Sequence, residues 1–288
     1  MVATIEYIEK VIDIFEKATE ANYETAGREG TLVSLTPDLA EDVMITADLH
    51  GHRGHFNSIR RVADLANRPR RHLILQEVCH GGPCYPNSGG CMSHMMLEDV
   101  AKLKVEFPDR VHFLLSNHEL AELTDYPILK NQKMLNLMFR FGMQEMYGAA
   151  TDKVREAYLP FLRSCPLAVR IANGVFVCHT VPDRVDERGF DIGLLERQIV
   201  EEDLTENSDL FSLLWGRDYR PENAKAFAEL VEAKVLIHGH EPAAGGFATP
   251  NEYQVILDCC GEKACYVVLP VGRDWTHQEV VSRIKALP

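Results

Sequence analysis

No window of this 288-residue chain approaches the 18 consecutive apolar residues of a membrane-crossing helix. Its first turn-lengths interleave Glu6, Glu9 and Lys10 with apolar residues, so the uninterrupted hydrophobic stretch of a signal peptide is missing as well. Basic residues are scarce: 30 Lys and Arg face 43 Asp and Glu, the formal net charge is −13, and no Lys/Arg-rich tract offsets it locally. A surface of that sign repels nucleic-acid phosphates and anionic lipid, which excludes nucleic acid and membrane as expected partners. Eight cysteines, two of them adjacent (Cys259 and Cys260), are too few in a chain of this length for a small secreted disulfide framework. Reduced thiols and a soluble, cytoplasmic protein are expected. Internal repeats, low-complexity tracts and domain linkers are absent too. With 46% hydrophobic residues the chain can bury a large core, and one domain over 1–288 is the expectation.

What is present is strongly periodic. Ile5, Ile8, Val11, Ile12, Phe15 and Ala18 recur at helical spacing, which predicts an amphipathic N-terminal helix over about 4–26, ended by Gly27 and Gly30. Strand Val43–Ala47, helix Asn57–Ala66, strand His72–Leu75, helix Ser93–Phe107 and strand Val111–Leu115 then alternate. Such a βαβαβ succession implies an α/β fold with parallel strands and helices covering the sheet. Residues 128–163 read as a helical insertion whose Met134, Met138, Phe139 and Phe141 serve packing. Asn173-Gly174 between Leu167–Ile171 and Val175–Cys178 predicts a hairpin. Helix Glu222–Ala233 leads to strand Val235–His238, and Tyr253–Asp258 and Cys265–Leu269 read as antiparallel strands across a Gly261 turn. The acidic stretch 183–209 reads as a solvated excursion.

Four short polar strings end apolar, β-branched runs: Asp48-Leu49-His50-Gly51, Ser116-Asn117-His118-Glu119, Cys178-His179-Thr180 and His238-Gly239-His240. In open α/β sheets ligands gather beyond the carboxyl ends of strands, and Asp48, Glu77, Asn117, His179 and His240 all fall there. On an extended segment Asp48 and His50 point the same way. Carboxylate, carboxamide and imidazole form a mixed oxygen and nitrogen set suited to Mn, Fe, Zn or Co. Two such ions ~3.5–4 Å apart can share a hydroxide and hold the attacking and leaving oxygens of an in-line phosphoryl displacement. Taken singly, each string has an ordinary reading: a hydrogen-bonded core histidine, a helix cap at Asn117, a turn residue at Asp48.

In this order the strings resemble the phosphoprotein phosphatase branch of the calcineurin-like metallophosphoesterases, whose pattern runs Asp-x-His-Gly, Gly-Asp-x-x-Asp-Arg-Gly, Gly-Asn-His-Glu, then separate His motifs. The match spans about residues 43–270 and takes in Pro108-Asp109-Arg110-Val111, Leu213-Leu214-Trp215, Gly239-His240-Glu241-Pro242 and Leu257-Asp258. The resemblance implies a β-sandwich of two mixed sheets flanked by helices, with a dinuclear centre between them. By position, Asp48 and His50 would hold the first metal, Glu77 would bridge, and Asn117, His179 and His240 would hold the second. His118 would protonate the leaving oxygen. Arg217 resembles the phosphate-clamping Arg of some bacterial members. The two transition-metal ions would be Mn, Fe or Zn, and the partner a phosphorylated protein or small molecule.

The second motif departs from the family, reading Gln76-Glu77-Val78-Cys79-His80-Gly81-Gly82. Glu77, in the place of the family's bridging Asp, would bridge with one more methylene. His80 takes the place of the Asp that charges the catalytic His, so His118 loses an anionic partner, and Gly81 replaces a clamping Arg. The loop lies where family members meet substrate, so His80 is also a candidate substrate contact. Cys79, His80, Cys84, Cys91 and His94 crowd one Gly-, Pro- and Ser-rich segment, which reads as a reduced loop or a separate zinc site. A metal-dependent phosphoric ester hydrolase is expected, with a phosphatase-like scaffold and a dinucleoside polyphosphate hydrolase as alternatives.

Overall fold

The computed structural model describes residues 2–288. Helix α1 (Ile5–Tyr23) starts at Thr4, whose hydroxyl accepts the Tyr7 N–H, and buries Ile8, Val11, Phe15 and Ala18 along one stripe. Next come β1 (Leu32–Leu35), β2 (Asp42–Asp48), α2 (Arg53–Ala63), β3 (Arg71–Gln76), α3 (Ser93–Glu106), β4 (Val111–Leu114) and α4 (Asn117–Thr124). Helix α2 begins earlier than expected because the His52 ring accepts the His55 N–H, a cap outside the usual Ser, Thr, Asp and Asn set. Two longer helices follow, α5 (Leu135–Tyr147) and α6 (Thr151–Ser164). Strands β5 (Ala168–Ile171) and β6 (Val175–Cys178) form the expected hairpin, with Asn173 and Gly174 both at positive φ. Its loop has three residues, since Ile171 pairs with Val175. Helices α7 (Asp209–Trp215) and α8 (Pro221–Leu230) and strands β7 (Val235–His238), β8 (Gln254–Leu257) and β9 (Cys265–Pro270) complete the frame of the site.

The strands form two mixed sheets. One runs Arg28–Glu29, β1, β5, β6, β7, β8 and Phe247–Ala248, and the other runs Lys285–Ala286, β9, β2, β3 and β4. Strands β2, β3 and β4 are mutually parallel, as are β6, β7 and β8. Alternate residues explain the layering. Val43, Ile45 and Ala47 of one sheet meet Val175, Val177, Val235 and Ile237 of the other in a β-branched inner core, whereas Met44, Leu73 and Leu75 face the outer helices. Each Val, Ile, Leu or Met among them, wholly buried, contributes about 1.5–3 kcal/mol from the apolar area removed from water.

Two expectations change. Tyr253–Asp258 and Cys265–Leu269 do not pair: β8 lies beside β7 in one sheet and β9 runs antiparallel to β2 in the other. A single backbone bond, Cys265 N–H to Asp258 O at 2.9 Å, joins them where the chain changes sheets. The acidic segment after Pro182 is not merely solvated. Leu194, Leu195 and Ile199 are buried, and Thr31 N–H donates to Leu195 O at 3.1 Å.

Candidate metal centre

The sandwich places the strand ends that carry the candidate ligands at one rim. Asp48 closes β2, Glu77 follows β3 and Asn117 opens the helix after β4; these come from one sheet. His179 follows β6 and His240 follows β7, in the facing sheet. Four residues of this rim have left-handed backbone: His50 (φ 41°), Glu77 (39°), His80 (61°) and His240 (70°). Non-glycine residues pay roughly 1–3 kcal/mol for that conformation, and such strain concentrates at functional sites. It is held by close loop contact. Leu49 and His50 both donate N–H groups to Glu77 O, at 2.8 and 2.9 Å, and a Cβ on Gly81 would stand 2.5 Å from His50 O. His50 therefore does not lie on extended chain as expected; the turn aims its ring across to Glu77.

The side chains converge on Glu77. His50 Nε2 lies 2.7 Å and His118 Nε2 3.7 Å from Glu77 Oε1, and His179 Nε2 lies 2.9 Å from Oε2. Asn117 Oδ1 sits 2.8 Å from His179 Nε2 and 3.2 Å from His240 Nδ1. Asp48 Oδ2 accepts the His240 N–H at 2.9 Å. Ser116, not Asn117, caps α4 by accepting the N–H groups of His118 and Glu119, which leaves the Asn117 carboxamide for the site. Gly239 permits the approach of the two sheets: a Cβ there would stand 2.2 Å from Asp48 Oδ1.

The donor set fits cations. Gln76 Nε2 donates to Thr46 O at 3.2 Å, so its Oε1 accepts the His179 Nδ1–H at 3.2 Å. The Nε2 of that ring faces Asn117 Oδ1 and Glu77 Oε2, two oxygens that only accept, and against burial Glu77 raises its hold on a proton, so a cation would take that proton's place. Asp48 Oδ1, Glu77 Oε2 and His240 Nε2 are buried without hydrogen-bond partners. Buried polar atoms of this kind cost free energy unless something satisfies them. Burial, and then the neighbouring Glu77 carboxylate, push Asp48 up to about 7. Burial also opposes ionisation of Glu77, yet the facing His118 and His50 hold it well below the usual carboxylate range. Inward-pointing lone pairs and ionised carboxylate oxygens are what divalent ions bind, with release of any proton held there.

Behind His118 stands a buried relay. His118 Nδ1 lies 3.0 Å from His80 Nδ1, and His80 Nε2 lies 2.8 Å from Glu122 Oε1. The His80 side chain has no exposed surface, so the expectation that it touches substrate is corrected: it is sealed beneath the catalytic candidate. The expectation that His118 loses its anionic partner is also revised, since Glu122 supplies a carboxylate one residue further back. The same carboxylate accepts the Tyr158 hydroxyl at 2.8 Å. Arg217 is half exposed at the rim beyond His240, with its guanidinium paired to Glu241. Neither of the two clusters of three potential metal-ligating groups found among the described residues, His50–Glu77–His118 and Glu77–His179–His240, includes Cys79, Cys84, Cys91 or His94.

Three contributors escape the motif reading: Glu122, Gln76 and Glu119, whose carboxylate accepts the N–H groups of Val78 and Cys79 at 3.0 and 2.9 Å. The signal for Glu122 is its spacing, i+4 from His118 on an otherwise buried helix.

The rim of a two-sheet sandwich, lined by this set of oxygen and imidazole donors, defines a metal-dependent phosphoesterase. The family model for calcineurin-like phosphoesterases matches residues 42–244, and the chain belongs to that family; it is a hydrolase. Its fold is similar to that of a protein serine/threonine phosphatase from Saccharomyces cerevisiae, at 14% identity and a TM-score of 0.70, over 97% of this chain and 89% of that one. It is similar also to a cold-active protein-tyrosine phosphatase of a psychrophilic Shewanella, at 11% identity and 0.61, over 93% and 84%. A further structure of a cold-active protein tyrosine phosphatase aligns at 12% identity and 0.59, over 88% and 78%. A search by sequence among curated proteins gave no match.

Proposed function

We propose that the protein hydrolyses phosphomonoesters, on a protein or a small molecule, at a dinuclear centre. Asp48, His50 and Glu77 would hold one ion, and Glu77, Asn117, His179 and His240 the other. Bound there, two ions supply Lewis acidity and neutralise the charge that builds on phosphoryl oxygens during in-line attack by water. The chain's own groups do the rest. Glu77, wedged between His50 and His179, fixes the separation of the two halves. His118 faces the centre through Nε2 and, as the doubly protonated ring, delivers a proton to the departing oxygen, while His80 and the Glu122 carboxylate hold its Nδ1–H and favour that form. The observation that carries this reading is Asn117 Oδ1 set between His179 Nε2 and His240 Nδ1, beside the partnerless Asp48 Oδ1, Glu77 Oε2 and His240 Nε2.

The test is hydrolysis of p-nitrophenyl phosphate by protein loaded with Mn, Fe or Zn. Turnover that is lost with chelator, restored by metal and absent in Asn117→Ala supports the proposal. Inactivity with every metal on monoesters, alongside cleavage of a dinucleoside polyphosphate, or inactivity on both, overturns it.

A further inference from the structure

The loop between β3 and α3 brings two thiols face to face. Tyr85 N–H donates to Gly90 O at 2.8 Å and Met92 N–H donates to Pro83 O at 2.8 Å, and Cys84 and Cys91 form the antiparallel bridge between these bonds. The two bonds flank the pair and neither belongs to it, so Cys84 and Cys91 occupy a non-hydrogen-bonded position. There facing Cα atoms are ~4.5 Å apart with both side chains on one side of the ribbon. A disulfide needs Cα atoms about 4.4–6.8 Å apart, so it can close here without moving the backbone. The turn that joins them is tight: Gly89 N–H returns to Tyr85 O at 2.9 Å.

The two thiols are unequal. Cys84 is exposed, whereas Cys91 is buried. Burial pushes the Cys91 thiol up, with Ser93 opposing through the 3.2 Å contact between Cys91 Sγ and Ser93 Oγ. The remaining cysteines are buried, except for the half-buried Cys260. Only Cys84 therefore meets a solution oxidant freely, and Cys91 is its facing neighbour.

We propose that Cys84 and Cys91 form an oxidisable dithiol, a modification site that closes as a reversible disulfide by exchange with a small-molecule disulfide such as oxidised glutathione. The Cys84 thiolate attacks one sulfur of that disulfide, the S–S bond of the reagent breaks, and one glutathione leaves as its thiol after taking up a proton. The Cys91 sulfur then attacks Cys84 Sγ, the mixed disulfide breaks, and the second glutathione leaves carrying the proton from Cys91. Two protein thiols are oxidised and one glutathione disulfide becomes two thiols. The bond would staple the loop whose Ser93 hydroxyl accepts the His80 N–H at 3.1 Å, so the modification lies beside the relay without using any of its groups. The proposal does not depend on the hydrolytic reaction, and its test reads no activity.

Full-length protein is equilibrated in glutathione buffers of increasing oxidised fraction, alkylated, digested with trypsin and weighed. One tryptic peptide, His72–Lys102, carries Cys79, Cys84 and Cys91. The expected result is a peptide with one alkyl group, on Cys79, and a mass two hydrogens lower, reversed by dithiothreitol and absent in Cys84→Ser. Because Cys84 is exposed, that variant should fold normally, and an unchanged melting temperature checks it. A stable glutathione adduct on Cys84 with Cys91 still alkylated, three alkylated thiols at every ratio, or a bond to Cys79 or Cys260 would overturn the assignment.

Discussion

His80 Nε2 and Glu122 Oε1 lie 2.8 Å apart with both side chains wholly buried, and this pair sets the direction of every proton in the relay. A carboxylate only accepts, so His80 carries its proton on Nε2 and offers the Nδ1 lone pair to His118 Nδ1–H. With Nδ1–H committed to His80, His118 carries a proton on the centre-facing Nε2 only as the imidazolium, the form the Glu122 carboxylate favours. Replacing Glu122 with Gln removes the charge that favours that form. Glu122→Gln is expected to lower kcat by about tenfold to a hundredfold on phenyl phosphate, whose leaving group needs a proton, and much less on p-nitrophenyl phosphate. An equal loss on both substrates would show that Glu122 supports the fold alone.

Asn117→Ala removes the oxygen that His179 and His240 share. Elemental analysis of protein loaded with excess Mn is expected to fall from two ions per chain toward one, with kcat reduced by two orders of magnitude or more. Two ions per chain in the variant would show that Asn117 is not a ligand.

Restoring the family's Arg at Gly81 is expected to harm the protein. A Cβ there meets His50 O at 2.5 Å, so Gly81→Arg must part the loops that hold His50 and Glu77. Gly239→Ala meets Asp48 Oδ1 in the same way. Both variants should lose metal and melt several degrees lower, a cost on the order of 1–3 kcal/mol. Gain of activity in Gly81→Arg would show that the loop yields.

Acid should unfold the protein partly through a histidine pair remote from the centre. His72 Nε2–H donates to Leu39 O at 3.2 Å and its Nδ1 accepts from His112 Nε2 at 2.9 Å, so both rings are neutral in the fold. Burial lowers His72 to about 4 and drives His112 well below the usual range. An unfolded histidine protonates near pH 6.5, so as pH falls from there the unfolded chain gains protons that the folded chain refuses. Stability is complete above about 6.5 and declines toward 4, by ~1.4 kcal/mol per pH unit for each histidine. Urea midpoints at pH 7 and 5 should differ by less in His72→Phe/His112→Leu than in the parent.

The β-strands and the order of the candidate ligands were legible in the sequence because each candidate follows an apolar, β-branched run. Asp48, Glu77, Asn117, His179 and His240 all stand where such a run stops, and the sandwich brings those stops together. The partner of a strand is harder to read. Gln254–Leu257 and Cys265–Pro270 have equally apolar patterns, and nothing in a two-residue period says that one joins each sheet. The relay stayed hidden for a similar reason. Motif spacing marks His80 as a loss of charge, whereas Glu122 restores it from a helix whose sequence reads as ordinary amphipathic chain. Gly81 looked like a missing Arg, and only the nearness of His50 O shows that the position has no room for a side chain.

Asp48, Glu77 and Asn117 ride on one sheet and His179 and His240 on the other, so the gap between the sheets is also the span across which the centre is assembled. That gap is filled by Ile45, Ile74, Val177 and Ile237. Trimming such a filler far from any ligand, as in Ile74→Val, would slacken the grip of opposing donors before it visibly loosened the fold. In this molecule the hydrocarbon between the layers acts as the gauge block for the chemistry at their edge.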